Sequence, residues 1–353
     1  MPSVPSVTPA FADPPAGVEW PTETWPRATH PRQEQLESLA EEMFTREDLA
    51  ITNAVLIVQG GRVVVERYGG VREFFDREPE AITATSPLLS WSMAKSMLHA
   101  LVGTLVDEGR LRADQIAPVS EWSDPDDPRH AIRIRDMLEM RDGLAFVEEY
   151  EIGATSHVIE MLFGEGQDDM AAYAAALPLA HEPGAAFNYS SGTTNVLSRV
   201  VADLVGYGAD YRAFIDERLF LPLGMRSAEA TFDPTGVFVA SSYVHANALD
   251  FAKFGLLYLR GGEWDGRRVI SREWARTAQV PSSVDEESGF FYSWHWWVTG
   301  DEYGTYWASG YEGQQISVVP ALDALIVRFG HTPNERYPLL YEWRSRVLEV
   351  LAS

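Results

Sequence analysis

The chain has 353 residues, 46% of them hydrophobic and 12% aromatic, which is ample for a folded core and excludes a largely disordered protein. Its formal charge of −24 opposes phosphate backbones and anionic lipid surfaces, so neither nucleic acid nor membrane is an expected partner. Without cysteine there is no disulfide, thiolate metal site or cysteine nucleophile.

Residues 1–32 are rich in proline with scattered tryptophan, as in Trp20-Pro21 and Trp25-Pro26, a composition that suits neither a long helix nor a central strand. An extended arm lying on the body is expected there. Neither a secretory signal nor an apolar run of membrane-spanning length is legible, so a cytoplasmic location is expected. Residues 33–43 have helical character, and the β-branched runs 51–58 and 63–68 flank Gln59-Gly60-Gly61-Arg62, a hairpin signal. From Ser92 the apolar positions Ala94, Met97, Leu98, Leu101 and Leu105 recur at helical spacing until Gly109 supplies a stop. Further helices are predicted over 134–140, 168–176, 194–205, 211–219 and 249–259. The pattern then reverts to strands at 292–299, 315–319 and 324–329, before a last helix over 341–351. Strand material at both ends of a helical middle predicts an α+β fold, an antiparallel sheet flanked by helices with a helical lobe beside it. The sheet domain is assigned to 33–90 and 290–353, the mainly helical domain to 91–289, and the active site to their junction.

Of the 28 basic residues, only Lys95 and Lys253 are lysines. Arginine stays protonated in proteins whereas lysine can lose its proton, so a lysine three residues after Ser92 invites a chemical explanation. On a helix the two side chains share a face, with β-carbons about 5–6 Å apart, and hydroxyl and amine can meet. Ser92 also falls in the predicted first turn, where free N–H groups and the positive helix end favour charge developing on a nearby oxygen. The bland reading of the pair is a helix cap followed by a solvated lysine. Two other stretches oppose it. Glu182-Pro183-Gly184-Ala185-Ala186-Phe187-Asn188-Tyr189-Ser190-Ser191-Gly192 sets a tyrosine and two serines directly before a helix, and Ala308-Ser309-Gly310-Tyr311-Glu312-Gly313-Gln314-Gln315 leads through glycines into a strand.

In these stretches the sequence resembles the serine β-lactamase and penicillin-binding-protein superfamily, in particular its branch of esterases and 6-aminohexanoate-oligomer (nylon-oligomer) hydrolases. Trp91-Ser92-Met93-Ala94-Lys95-Ser96, residues 134–144, Leu219-Phe220-Leu221-Pro222-Leu223-Gly224-Met225 and Phe254-Gly255-Leu256-Leu257-Tyr258-Leu259 carry the likeness further, from about Glu34 to the carboxyl end. The resemblance implies Ser92 as acylating nucleophile, Lys95 and Tyr189 as its proton-transfer partners, and Ser191 at the third position of the second motif. It places Tyr311-Glu312-Gly313 where relatives commonly carry Lys-Thr-Gly, and it assigns the oxyanion hole to the backbone N–H groups of Ser92 and Gln314. Gly313 then suits a place where substrate approaches the backbone closely. Tyr150 is similar to a tyrosine that contacts the reacting amide in the nylon-oligomer hydrolases.

A serine hydroxyl is a poor nucleophile, so another group must take its proton and return one to the leaving group. Lys95 can do so when neutral; bringing its pKa from about 10.4 toward 7 takes about 4 kcal/mol of burial and neighbouring charge. The alternative is a charged Lys95 that stabilises a Tyr189 phenolate as base. Tyr311 in place of the motif lysine removes a cation that binds the carboxylate of penicillins and peptidoglycan termini. The expected substrate is therefore a small molecule, first a linear amide of the 6-aminohexanoate-oligomer kind, with carboxylesterase activity beside it; β-lactamase or D-alanyl peptidase activity and a noncatalytic binding role are the alternatives. Glu312 is expected to turn out to solvent. No Gly-x-Ser-x-Gly elbow supports an α/β-hydrolase, and no metal-ligand spacing or nucleotide-binding loop implies a cofactor. His99, two helical turns from Ser92, is expected to be structural, and Trp294-His295-Trp296-Trp297 to form core, cleft wall or both.

Overall fold

The computed structural model describes residues 8–72, 78–150, 156–286 and 288–353. The predicted hairpin is present as β1 (Ile51–Gln59) and β2 (Arg62–Tyr68), joined by Gly60 and Gly61. Both glycines have positive φ, +58° and +69°, which a two-residue turn between right-twisted strands requires and a side chain would resist. Six more strands complete one antiparallel sheet: β3 (Ser283–Val284), β4 (Phe291–Tyr292), β5 (Trp297–Val298), β6 (Tyr306–Gly310), β7 (Gln314–Val319) and β8 (Ala324–His331). Their spatial order is β3-β4-β5-β6-β7-β8-β1-β2, so the amino-terminal hairpin closes one edge of a sheet otherwise built from the last third of the chain. The sheet thus draws on residues 283–289 as well as on the segments the sequence assigns to it.

The centre of the sheet is covered on both faces. Along β1, Ala54, Leu56 and Val58 join one hydrophobic cluster, while Val55 and Ile57, pointing the other way, join a second. β8 divides likewise, Leu325, Val327 and Phe329 against Ala324 and Ile326. Burial on both faces explains why these strands read as unbroken apolar runs rather than as alternation. Helices α1 (Gln33–Thr45) and α5 (Tyr337–Leu351) cover one face. On the other lie α2 (Met93–Asp107) and α4 (Ala248–Leu259), and beyond them a lobe that includes α3 (Ser191–Val205). Among the described residues no helix is long and apolar enough to cross a membrane.

Residues 8–32 are bonded to the body at several points. Ala12 N–H donates to Leu259 O at 3.0 Å, Trp25 Nε1 to Leu249 O at 3.0 Å, and Val63 N–H and Ala28 N–H bridge the arm to β2. Two predicted elements differ from the fold. The expected strand over 292–299 is two short strands, because Ser293-Trp294-His295-Trp296 turns back on itself with His295 at φ +56°. The turn carries no glycine or proline; it is held by Ser96 Oγ, which donates to His295 O at 2.7 Å, and by His295 Nδ1 at 3.2 Å from Lys95 O. The helix expected from Thr194 begins at Ser191, capped by Ser190 Oγ, which accepts from Thr193 N–H at 2.9 Å. His99 is structural, as expected: buried, it meets Tyr258 Oη at 2.6 Å and Thr277 Oγ1 at 2.9 Å.

Candidate active site

Ser92 stands at the N-cap of α2, where serine ordinarily bonds back to the helix, yet its hydroxyl makes no capping bond. The reason lies one residue earlier. Trp91 has φ +45°, a left-handed conformation costly for a residue with a large side chain. Its ring is held by Tyr243 and Tyr311, with centroids 6.0 and 5.7 Å away. Ser90, fully buried, locks the bend by donating to Trp91 O at 2.9 Å and accepting from Val244 N–H at 3.0 Å. The strained turn aims Ser92 Oγ away from its own helix end and at Lys95, which donates to it at 2.9 Å.

Lys95 is 1% exposed. Its ammonium has three hydrogens and three acceptors, Ser92 Oγ at 2.9 Å, Ser191 Oγ at 3.0 Å and Ser241 O at 3.0 Å, none of them charged. Burial without a contacting carboxylate pushes its pKa down to about 8, and the negative charge of Glu148 opposes that shift. The Tyr189 ring covers the amine, its centroid 4.8 Å from Nζ, and the Ser92 side chain draws the pKa of its phenol down against burial. Burial, reinforced by Glu148, raises the phenol's pKa well above the usual tyrosine value. The structure therefore brings Ser92, Lys95, Tyr189 and Ser191 into one cluster, drawn from two segments a hundred residues apart in the sequence.

The cleft wall is aromatic. Tyr150 stacks on Tyr311 with centroids 4.7 Å apart and planes at 26°, and Tyr311 meets Trp91 edge-on. On the other side Tyr189 packs against Trp297 and Tyr292, with Phe187 next to both. Tyr150 and Tyr311, both expected to meet substrate, thus stack on each other and, through Trp91, lie next to Ser92. Glu148 escaped the sequence reading. Its Oε2 accepts from Ser191 N–H at 2.6 Å, and its Oε1 from Ser191 Oγ at 2.6 Å and Tyr150 Oη at 2.8 Å. Only its place two residues before Tyr150 could have pointed to it.

The strand motif needs correction in two places. Gly313, at φ +81°, makes room for α5 and the core instead of a substrate: a side chain there would come within 2.6 Å of Leu340 and 2.8 Å of Arg328. The glycine beside the nucleophile is Gly310, whose missing Cβ would collide with Ser90 O and lie 3.2 Å from Trp91 Cβ. Gln314 likewise faces inward. Thr299 N–H donates to Thr305 O, which sets the phase of β6: odd residues direct their backbone groups at β5 and even ones at β7. Gly310 is paired with Gln314, so the Gln314 backbone is directed into the ladder, while its side chain donates to Tyr311 O and Gly330 O at 2.9 and 2.6 Å. Glu312 turns from the cleft to His331, 2.7 Å away.

A family model described as Beta-lactamase matches residues 42–346. The chain belongs to the β-lactamase family. This β-lactamase-family protein is an enzyme of serine-hydrolase type. It is 28% identical over 305 residues to the 6-aminohexanoate-dimer hydrolase of Paenarthrobacter ureafaciens, spanning 80% of this chain and 73% of that one. In fold it is similar to a Bacillus anthracis protein described as a candidate 6-aminohexanoate-dimer hydrolase, with a TM-score of 0.75 at 18% identity over 98% of this chain and 90% of the other. It is similar also to a family VIII carboxylesterase, with a TM-score of 0.70 at 16% identity over 92% of this chain and 98% of that one.

Proposed function

We propose that the protein hydrolyses linear amides of the 6-aminohexanoate-oligomer kind, and esters, through a covalent acyl-enzyme on Ser92. The observation that carries the reading is the buried Lys95 amine, 2.9 Å from Ser92 Oγ and surrounded only by neutral acceptors. With a pKa near 8, on the order of a tenth of the lysine is neutral at pH 7 and able to accept the serine proton. Tyr189, its phenolate disfavoured by burial, serves better as a proton conduit than as the resting base. Ser92 Oγ then bonds to the substrate carbonyl carbon as its proton passes to Lys95, and the proton returns through Tyr189 to the departing amine or alcohol. Water attacks the acyl-enzyme in the second half-reaction and releases the acid.

The oxyanion falls to the Ser92 N–H, which has no backbone acceptor among the described residues, and to the Tyr311 N–H. The alternation along β6 directs the peptide between Gly310 and Tyr311 with its N–H toward the β5 side, and β5 stops pairing after Trp307, so that edge is open beside Ser92. The substrate class follows from the walls. Trp91, Tyr150, Tyr311, Tyr189 and Trp297 offer flat apolar faces and no cation for a carboxylate beside the scissile bond. Assay of the purified protein on 6-aminohexanoate dimer, p-nitrophenyl acetate and nitrocefin, with intact-mass detection of the adduct, tests this. Turnover of the first two, with an acyl mass that Ser92→Ala abolishes, is expected; rapid turnover of nitrocefin alone overturns the substrate assignment, and an S92A variant with wild-type rates overturns the mechanism.

A further inference from the structure

We infer that Glu148 is a positioning residue, which turns the Ser191 hydroxyl so that the lone pair of a neutral Lys95 is left to face Ser92. The inference rests on the reading of Ser92 and Lys95 given above. Its geometry is a matter of counting hydrogens. A hydroxyl has one hydrogen, and Ser191 directs its own to Glu148 Oε1 at 2.6 Å, while its backbone N–H goes to Oε2 of the same carboxylate. Toward Lys95 it can therefore only accept. Ser241 O, the second neighbour of the amine, is a carbonyl and also only accepts. A neutral amine has two hydrogens and one lone pair. With both hydrogens committed to Ser191 Oγ and Ser241 O, the lone pair is left for the Ser92 hydroxyl, the one neighbour still able to donate. Without the carboxylate, Ser191 is free to donate to Lys95 itself and to compete with the nucleophile.

The same carboxylate oxygen accepts from Tyr150 Oη at 2.8 Å, so Glu148 also ties the proton-transfer hub to the Tyr150–Tyr311 wall. Other titratable groups face the hub. The Tyr189 ring lies over Nζ, His295 packs behind the Lys95 carbonyl, His99 lies one helical turn along α2, and Tyr292 lies within the field of Glu148. Of these groups and Glu148, the carboxylate is the anion, and it raises the Lys95 pKa against the effect of burial. Its removal frees the base at lower pH.

A double-mutant cycle of Glu148→Gln and Ser191→Ala, with p-nitrophenyl acetate hydrolysis followed from pH 6 to 10, tests the inference. E148Q is expected to lower kcat by roughly tenfold or more, and to move the acid limb of kcat/KM down by about one pH unit. In the S191A background, where no competing hydroxyl exists, E148Q should cost less than about threefold in kcat. Equal fractional losses in both backgrounds with an unmoved limb would make Glu148 merely structural and overturn the inference. If E148Q does not fold, Glu148→Asp replaces it: a fall in kcat with the limb in place supports the inference, and an unchanged kcat overturns it. Absence of any turnover that depends on Ser92 in the wild-type protein would instead sink the underlying reading of the site.

Discussion

Two lysines with unlike surroundings show how a single residue type is put to two uses. Lys253 forms an ion pair with Asp250 at 2.9 Å and donates to Thr22 O at 3.4 Å, a charged brace between the arm and α4. Lys95 has hydroxyls and a carbonyl instead of a carboxylate, and its pKa falls to about 8. The sign of the pH dependence follows. Below about 8 the amine is protonated and the base is lost; above it the amine is neutral, so kcat/KM should rise with pH through an apparent pKa near 8. Stability follows the same direction in the window between about 8 and the unperturbed 10.5, where the unfolded chain binds the proton that the folded one has released. Lys95→Arg keeps a cation that cannot deprotonate. Steady-state ester hydrolysis by K95R should show a loss on the order of 10²–10⁴-fold at every pH, and a K95R protein that keeps the wild-type profile would remove Lys95 as the base.

Helix α2 is the element that makes the site rigid, because each of its residues from Met93 to Leu105 is buried. A helix buried all round needs neighbours that fit, and Gly103 is one such fit: a side chain there would enter the ring of Trp274. Trp274 cannot easily yield, since its Nε1 donates to His99 O at 2.8 Å and its face stacks on His99. Gly103→Ala should therefore destabilise by about 1–3 kcal/mol in urea unfolding, although alanine is the better helix former by about 1 kcal/mol. A gain in stability would show that the contact relaxes freely. Elements with local causes were legible: the apolar spacing of α2 and the Gly60-Gly61 turn are properties of the chain itself. The turn through His295 was not, because its cause is a pair of bonds to α2, roughly two hundred residues earlier in the chain.

For the whole molecule, the arm closes what the sheet leaves open. Residues 26–28 bond to Val63 of the outer strand β2, and Trp25 is buried against the body. Deleting residues 1–28 would bare the edge at Val63 and the pocket of Trp25 together. The truncated protein should melt several degrees lower, by the loss of about 1–3 kcal/mol for the Trp25 side chain alone, and self-associate on size-exclusion chromatography. Its kcat per folded molecule should be unchanged, since among the described residues the arm makes no hydrogen bond to Ser92, Lys95 or Tyr189. A truncated chain as stable and monomeric as the full one would show the arm to be passive.

The amino-acid sequence by itself settled the composition class, and it made most helices, the amino-terminal hairpin and the spacing of Ser92 and Lys95 legible, because these last three depend on a few residues of local backbone. Tertiary structure alone decided the rest. It set Glu148 behind Ser191, put Gly310 rather than Gly313 beside the nucleophile, and turned the Gln314 backbone into the ladder. The physical reason is that hydrogen-bond direction in a sheet depends on the pairing phase, and the charge state of a buried amine on neighbours brought in from remote segments; neither is encoded at any single stretch of the chain.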